Sequence, residues 1–390
     1  MSGPVSDALY HAFLVASAVP VTGSHRAGTL DDARALRQAD AMLADRSIYA
    51  AAVCGHAAGV QRWLASDPAL ATARGGPHDW DALTWCCFSR WLRDDPNRAA
   101  DFVAVARALI EAGASVNTGF MDAPHGPHAQ LESVLYGAAG VSFCAPLAAL
   151  LLRHGADPND EEVPYHAAEH YAHDVVTELL RAPVTLTRDS LATLLLRKCD
   201  WHDLQGVEQL LRHGTDPNHP GRWPVTPLMQ AIRRDNDLAI IDALLNAGAD
   251  AVQTLNGVTA SSLAAWHGRT DVLHRFAERG VELPHEGIDA VAVDVTLGDA
   301  IGVRARLAAD PKVREDVMQR LPEFLCRCAS NGSMAPLSVL LQLAPSPDVR
   351  WGEGDGYWQI PPNSTALDVA VLRKQAAAER LIREFAAGAD

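Results

Sequence analysis

The sequence is poor in the features that mark most nucleic-acid binders and most enzymes. Positive charge is in deficit: 33 Lys and Arg stand against 48 Asp and Glu, a formal net charge of -15, and lysine is scarce. An acidic surface repels phosphate backbones, so nucleic acid is not the expected partner. No Ser-His-Asp set, P-loop or dinucleotide glycine motif is visible, and Arg74-Gly75-Gly76-Pro77 reads as a turn, not a phosphate cradle. The seven cysteines (Cys54, Cys86, Cys87, Cys144, Cys199, Cys326 and Cys328) are odd in number and lack the spacing of a disulfide framework. Cys326-Arg327-Cys328 is not a CxxC motif, so buried free thiols in a reducing compartment are expected. No apolar run has the length needed to cross a bilayer. The short run 12–19 lacks the basic residues that open a secretory signal, and Asp7 precedes it. No membrane partner and a cytoplasmic location are the expectation. Aromatics make up only 6%, but nine of them are Trp.

What is present is apolar mass and internal order. Hydrophobic residues are 48% and mean hydropathy is -0.03, enough to bury a core. A nine-residue phrase recurs: LIEAGASVN at 109–117, LLRHGADPN at 151–159, LLRHGTDPN at 210–218, and LLNAGAD at 244–250. Its physics is local. The Leu pair faces a core, Gly supplies a left-handed helix end, and Asp, Pro and Asn favour a turn. A second phrase opens each unit. Thr226-Pro227-Leu228-Met229-Gln230-Ala231 is the clearest copy, with Val163-Pro164-Tyr165-His166-Ala167-Ala168 and 257–268 as variants. Residues 81–87, 133–139 and 365–370 are more degenerate copies.

These phrases resemble the ankyrin repeat, whose units open G-x-TPLH-x-AA and close LL-x-x-GAD-x-N. The resemblance implies an all-α solenoid of roughly nine to ten helix-turn-helix units with a period of about 33 residues. On that register residues 1–44 form an N-terminal helical cap, with a helix starting at Asp31 and Asp32. Residues 45–286 hold the clearer repeats, with a loop near 119–130 over the groove. Residues 287–390 hold divergent repeats with an insertion loop near 345–362. Cys86 and Cys87 fall on the AA positions, which accounts for the pair without chemistry.

Three clusters suggest chemistry. His166-Ala167-Ala168-Glu169-His170 is a formal HxxEH, which on a helix puts two imidazoles on one face as zinc requires. The repeat register instead assigns His166 to the TPLH histidine, which bonds to the turn, and His173 to the equivalent of the GH position between the two helices. It leaves His170 unexplained, and no metal or other cofactor is expected. Asp200-Trp201-His202-Asp203 reads either as a tuned acid–base pair or as a turn with a helix cap. His125 and His128 belong to a solvated loop.

In ankyrin proteins the residues that follow AA, and those around the opening turn, face the concave groove. Those slots hold Phe88, Ser89 and Arg90, then Gly140 and Val141, then His170 and Tyr171. Later units give Trp201 and His202, Arg233 and Arg234, and Trp266 and His267, while the turns add Trp80, Arg222 and Trp223. The set is rich in Trp, Tyr, His and Arg, the types that dominate binding hot spots. Arg also grips carboxylate or phosphate bidentately. The expectation is a groove over about 80–270 that binds a protein or peptide, or a small anionic or aromatic ligand. The composition looks bacterial, and a scaffold or toxin-neutralising role would follow from the resemblance. The rival is an enzyme built on His170, Glu169, Asp200, His202, Arg233, Arg234 and His267.

Overall fold

The computed structural model describes residues 7–122, 129–171 and 173–387. His125 and His128 fall outside them. Its contacts divide the chain into two compact units, residues 1–201 with 208–215, and residues 202–207 with 216–390. The fold class is all-α, with short hairpins and helix pairs of the ankyrin type in each unit.

One capping rule builds the inner helices. Most start behind a side chain that accepts the backbone N–H three residues on: Ser47 from Ala50, Asp81 from Thr84, Ser133 from Tyr136, Thr187 from Ser190, Thr226 from Met229, and Thr365 from Asp368, whereas Gly287–Leu297 has no such cap. Thr259 and Ser262 complete a reciprocal capping box. Such a cap satisfies donors that a helix start leaves unpaired, and is worth about 1 kcal/mol. The degenerate openings at 81, 133 and 365 are therefore functional copies of the Thr226 one.

The closing phrase links neighbours. Asn117 Nδ2 donates to Gly155 O and its Oδ1 accepts from Asp157 N, at 3.1 and 2.9 Å. Asn159 makes the same pair with Thr185 O and Thr187 N, and Asn218 with Gly248 O and Asp250 N. The final Asn of the phrase is thus a backbone staple to the next unit as well as a turn former. Gly113, Gly155, Gly214 and Gly248 all take positive φ, so the glycine is required by conformation.

In the first unit, helices Asp7–Ser17 and Asp31–Ala39 precede the pair Ile48–Val53 and Ala57–Ser66. Thr29 Oγ1 bonds Asp31, but the capping position is Leu30 and has no side-chain bond. Next come Ala82–Cys87 with Ala99–Glu111, Val134–Tyr136 continued by the π-turn Gly137–Val141 with Ala145–Arg153, and Glu162–His166 with His173–Leu180. The second unit pairs Pro227–Arg233 with Leu238–Asn246, Ala260–Trp266 with Thr270–Glu278, and Gly287–Leu297 with Ala300–Ala309. It ends with Pro311–Asn331 and Met334–Leu343, then Ala366–Leu372 and Ala376–Ala387.

One expectation is corrected here, and the disfavoured HxxEH reading fails. Segments 119–122 and 130–133 do not simply lie over a groove. They pair as a hairpin that drives Phe120 into the core, where its ring stacks on Trp80 at 4.5 Å. The HxxEH helix does not form either, because the helix stops at His166 and the chain turns through 167–171. All seven cysteines are buried and reduced.

Candidate functional site

The slot between inner and outer helix decides which side chains a unit presents. At that slot the chain enters the left-handed region, and Gly55, Gly268, Gly298 and Gly332 hold it without strain. Four units put a larger residue there: Phe143, His202, Asp235 and Lys374. Side chains resist this conformation, and such strain clusters at functional sites. The residue just before the slot caps the inner helix, and in the second unit this position holds Arg234, His267 and Arg373.

Around those caps the second unit assembles arginines on aromatic faces. The Arg234 guanidinium lies 3.8 Å from the Tyr357 ring centre, Arg373 3.8 Å from Trp358, Arg320 3.6 Å from Trp266 and Arg327 5.0 Å from Trp351. Arg320, Phe324 and Arg327 share one face of the long helix Pro311–Asn331, being four and then three residues apart. Tyr357 and Trp358 sit on the insertion loop between strands Arg350–Trp351 and Ser364–Thr365. Asp355 folds this loop by accepting both Tyr357 N and Trp358 N. His202 meets it, with Nε2 3.3 Å from Tyr357 Oη and its ring edge-on to Trp358. Arg327 is balanced by Glu323 at 2.8 Å and Asp355 at 3.5 Å. Among the described residues neither Arg320 nor Arg373 forms an ion pair, and both are half-buried. A stacked guanidinium keeps its N–H edge for an oxyanion.

Titration at these ends is governed first by burial. Burial pushes the His267 imidazole well below its ordinary value, and the guanidiniums of Arg327, Arg233, Arg269 and Arg320 push the same way. The Asp235 carboxyl is pushed up to about 6 by burial, against the pull of Arg269, an Asn331 hydrogen bond, Arg327 and Arg373.

The first unit carries the opposite chemistry. His166 Nε2 lies 3.0 Å from Glu162 and Nδ1 3.2 Å from Glu169. Glu169 also takes Arg197 at 2.5 Å and Arg26 at 3.4 Å, and Arg197 reaches Asp200 at 2.6 Å. Burial alone would lower the His166 pKa, but its two carboxylate partners hold it up at about 9. It is a charged link in an ion-pair chain and does not serve the turn. Beside it Glu132 is pushed up to about 8 by burial and by the carboxylates of Glu162 and Asp122.

The residues expected to line one groove are divided. Trp80 and Ser89 are about 1% exposed; Trp80 packs against Trp85, Phe88 and Phe120, and Ser89 Oγ bonds Val53 O. Arg90 is held by Ala16 O and Thr29 O. Trp266 and His267 are also buried, with Trp266 Nε1 donating to Asp289 at 2.6 Å. Arg90 is half-buried, and the other four do not face an open surface, because helix ends that the bare register leaves exposed are covered by other segments. His170 is exposed and stacks on Phe143 at 4.8 Å, lining a cavity of about 610 Å³ with Arg26, Arg93, Asp94 and Asp174. Tyr171 is exposed and donates to Trp201 O. Glu169 and Asp200 are tied up in the ion-pair chain. In the second unit Arg233 is exposed, Arg234 and His202 meet the insertion loop, and Trp223 lies half-buried under Arg222. The residues that sequence reasoning missed are Arg320, Arg327, Arg373, Trp351, Tyr357 and Trp358. The same register applied to the last unit would have yielded Arg373; the loop aromatics had no register to find them.

Among known families, the model for ankyrin repeats matches residues 195–286 in three copies. No curated protein matches. Among solved structures, the chain is similar to the human ASB11 ankyrin repeat domain, at 24% identity over 55% of this chain and 90% of that one, with a TM-score of 0.43. It is also similar to the ankyrin repeat domain of Bcl-3, described as a unique member of the IkappaB family, at 18% identity over 48% and 83%, with a TM-score of 0.40. Among the described residues no helix is long and apolar enough to cross a membrane. The matched family model, with the caps and asparagine staples around it, shows that residues 195–286 are ankyrin repeats, the repeat of a class of protein-interaction module.

Proposed function

We propose that the protein is a recognition module whose second unit binds an acidic segment of a protein partner. The observation that carries this reading is the pair Arg320 and Arg373, each stacked on an indole and forming no ion pair among the described residues. In a chain of net charge -15, unneutralised guanidiniums on aromatic faces are a local exception. Arg, Trp and Tyr are the residue types from which binding hot spots are made. The insertion loop supplies Tyr357, 37% exposed, as the aromatic contact. A peptide carboxylate satisfies the guanidinium edges, and its neighbouring apolar atoms cover the Tyr357 ring.

The test uses a fluorescent peptide of alternating Glu and Tyr, titrated into the full-length chain. Arg320→Ala combined with Arg373→Ala should weaken binding by at least about tenfold and leave the melting temperature unchanged. Affinity equal to that of the unaltered chain would sink the proposal. Trp266→Ala is unsuitable here, since Trp266 belongs to the core and its loss would unfold what it is meant to probe.

A further inference from the structure

In the first unit the inner-helix ends are covered by the chain itself. Residues 18–29 run across them between helices Asp7–Ser17 and Asp31–Ala39. The contacts are those of a bound peptide. Ala18 bridges Ser89 in antiparallel fashion, and Val19 N donates to Phe88 O at 3.0 Å. Arg93 grips three successive carbonyls, those of Arg26, Ala27 and Gly28, at 3.0, 3.1 and 2.8 Å. Arg90 holds Ala16 O and Thr29 O. Gly28 takes a φ of 82°, a conformation that side chains resist, and a Cβ there would meet the Arg90 guanidinium at 2.5 Å. From residue 20 to 29 the only buried side chain is His25.

The two side chains that carry specificity enter matched sockets. His25 sits among Phe88, Phe120 and Tyr136, with Nδ1 3.0 Å from Tyr136 Oη and 3.7 Å from Glu132 Oε2. Arg26 reaches Glu169 at 3.4 Å and lies over Phe143 at 4.8 Å. Main-chain bonds for affinity and side-chain sockets for specificity are how extended peptides are recognised. The first socket is not filled to its capacity. Glu132 is 4% exposed, and its Oε2 has no hydrogen-bond donor. A buried acceptor left unmade costs about 1–3 kcal/mol. The imidazole is too short to close the 3.7 Å gap, and an ammonium on a longer stem would close it while resting on the same aromatic walls.

We propose that the first unit carries a second recognition surface, for an extended basic segment, at which residues 18–29 of this chain sit as an internal ligand. The partner it fits has a lysine or arginine at the His25 position, a second base next to it and a glycine two residues further on. This surface goes beyond the acidic-segment reading of the second unit and does not depend on it.

The test uses the full-length chain and a fluorescent synthetic peptide with the sequence of residues 16–30, carrying Lys in the position of His25. Arg26→Glu sets like charge against Glu169 and loosens the internal segment. The peptide should bind the Arg26→Glu chain at least about tenfold more tightly than the unaltered chain. Adding Glu132→Gln should remove at least about tenfold of that affinity. A folded Arg26→Glu chain that shows no saturable binding overturns the proposal, as does equal binding to all three chains. Should Arg26→Glu fail to fold, hydrogen exchange on the unaltered chain decides. The Val19 and Ala27 amides should exchange at least about a hundredfold faster than those of helix Ala82–Cys87. Equal protection would make the segment a fixed part of the fold and would overturn the proposal.

Discussion

The two units use the same scaffold and present opposite chemistry. In the first, carboxylates dominate the inner-helix ends: Glu162, Glu169 and Asp200 share His166, Arg26 and Arg197, and the chain's own segment lies across them. In the second, guanidiniums dominate, stacked on aromatics that an insertion loop brings in. The difference teaches that a repeat register fixes where a side chain emerges but not what it meets. Trp80 and Tyr357 show this best. One is sealed among Trp85, Phe88 and Phe120, and the other stands 37% exposed against Arg234.

The largest expected effect follows from that contrast. Trp80→Ala should cost about 3–5 kcal/mol in urea unfolding, as loss of a fully buried large aromatic does, whereas Tyr357→Ala should stay within about 1 kcal/mol. Similar losses would erase the distinction between a structural and a presenting aromatic. Next come the staples, where the units should not differ. Asn159→Ala in the first and Asn218→Ala in the second should each cost about 2 kcal/mol, since each strands a donor and an acceptor. A large inequality in the same unfolding measurement would show that one unit does not rely on its staple.

A pH series sharpens the comparison further. Glu132, pushed up to about 8 from 4.5, holds its proton in the folded state. Its contribution is complete below pH 4.5 and is lost as pH rises through 8. His166, held at about 9 above 6.5, acts with the same sign: its ion pairs are complete below pH 6.5 and fade through 9. Thermal unfolding should therefore show stability falling from pH 6 to pH 9. Glu132→Gln should flatten that fall, and an unchanged slope would detach Glu132 from it. The smallest effect concerns strain. Lys374→Gly relieves a left-handed side chain and should stabilise the second unit by about 0.5–1 kcal/mol in thermal melts; a loss of stability would show that the slot tolerates Lys.

Much of the fold was legible residue by residue. Thr226, Thr259 and Thr365 announce helix starts, and Gly155, Gly214 and Gly248 announce helix ends, because caps act within one turn of chain. The candidate site was legible only in part. Arg234 and His202, which the register places at inner-helix ends, both meet the insertion loop, whose own aromatics the register could not reach. Trp80, Ser89, Trp266 and His267 occupy slots of the right register but are buried, and Arg90 is occupied by backbone carbonyls from far upstream. Nothing within a few residues of Trp80 reports that Phe120 will stack on it, since the hairpin that carries Phe120 lies some forty residues away.

By itself the sequence determined the repeating unit, its caps, its left-handed turns and the class of residue at the inner-helix ends, because each of these depends on interactions within one unit or with the next. Only the tertiary structure decided which of those ends are covered: the N-terminal segment closes those of Phe88, Ser89 and Arg90, and the insertion loop reaches Arg234 and Arg373. Burial is set by contacts between segments far apart in the chain, and the periodicity of a repeat carries no information about segments that interrupt it.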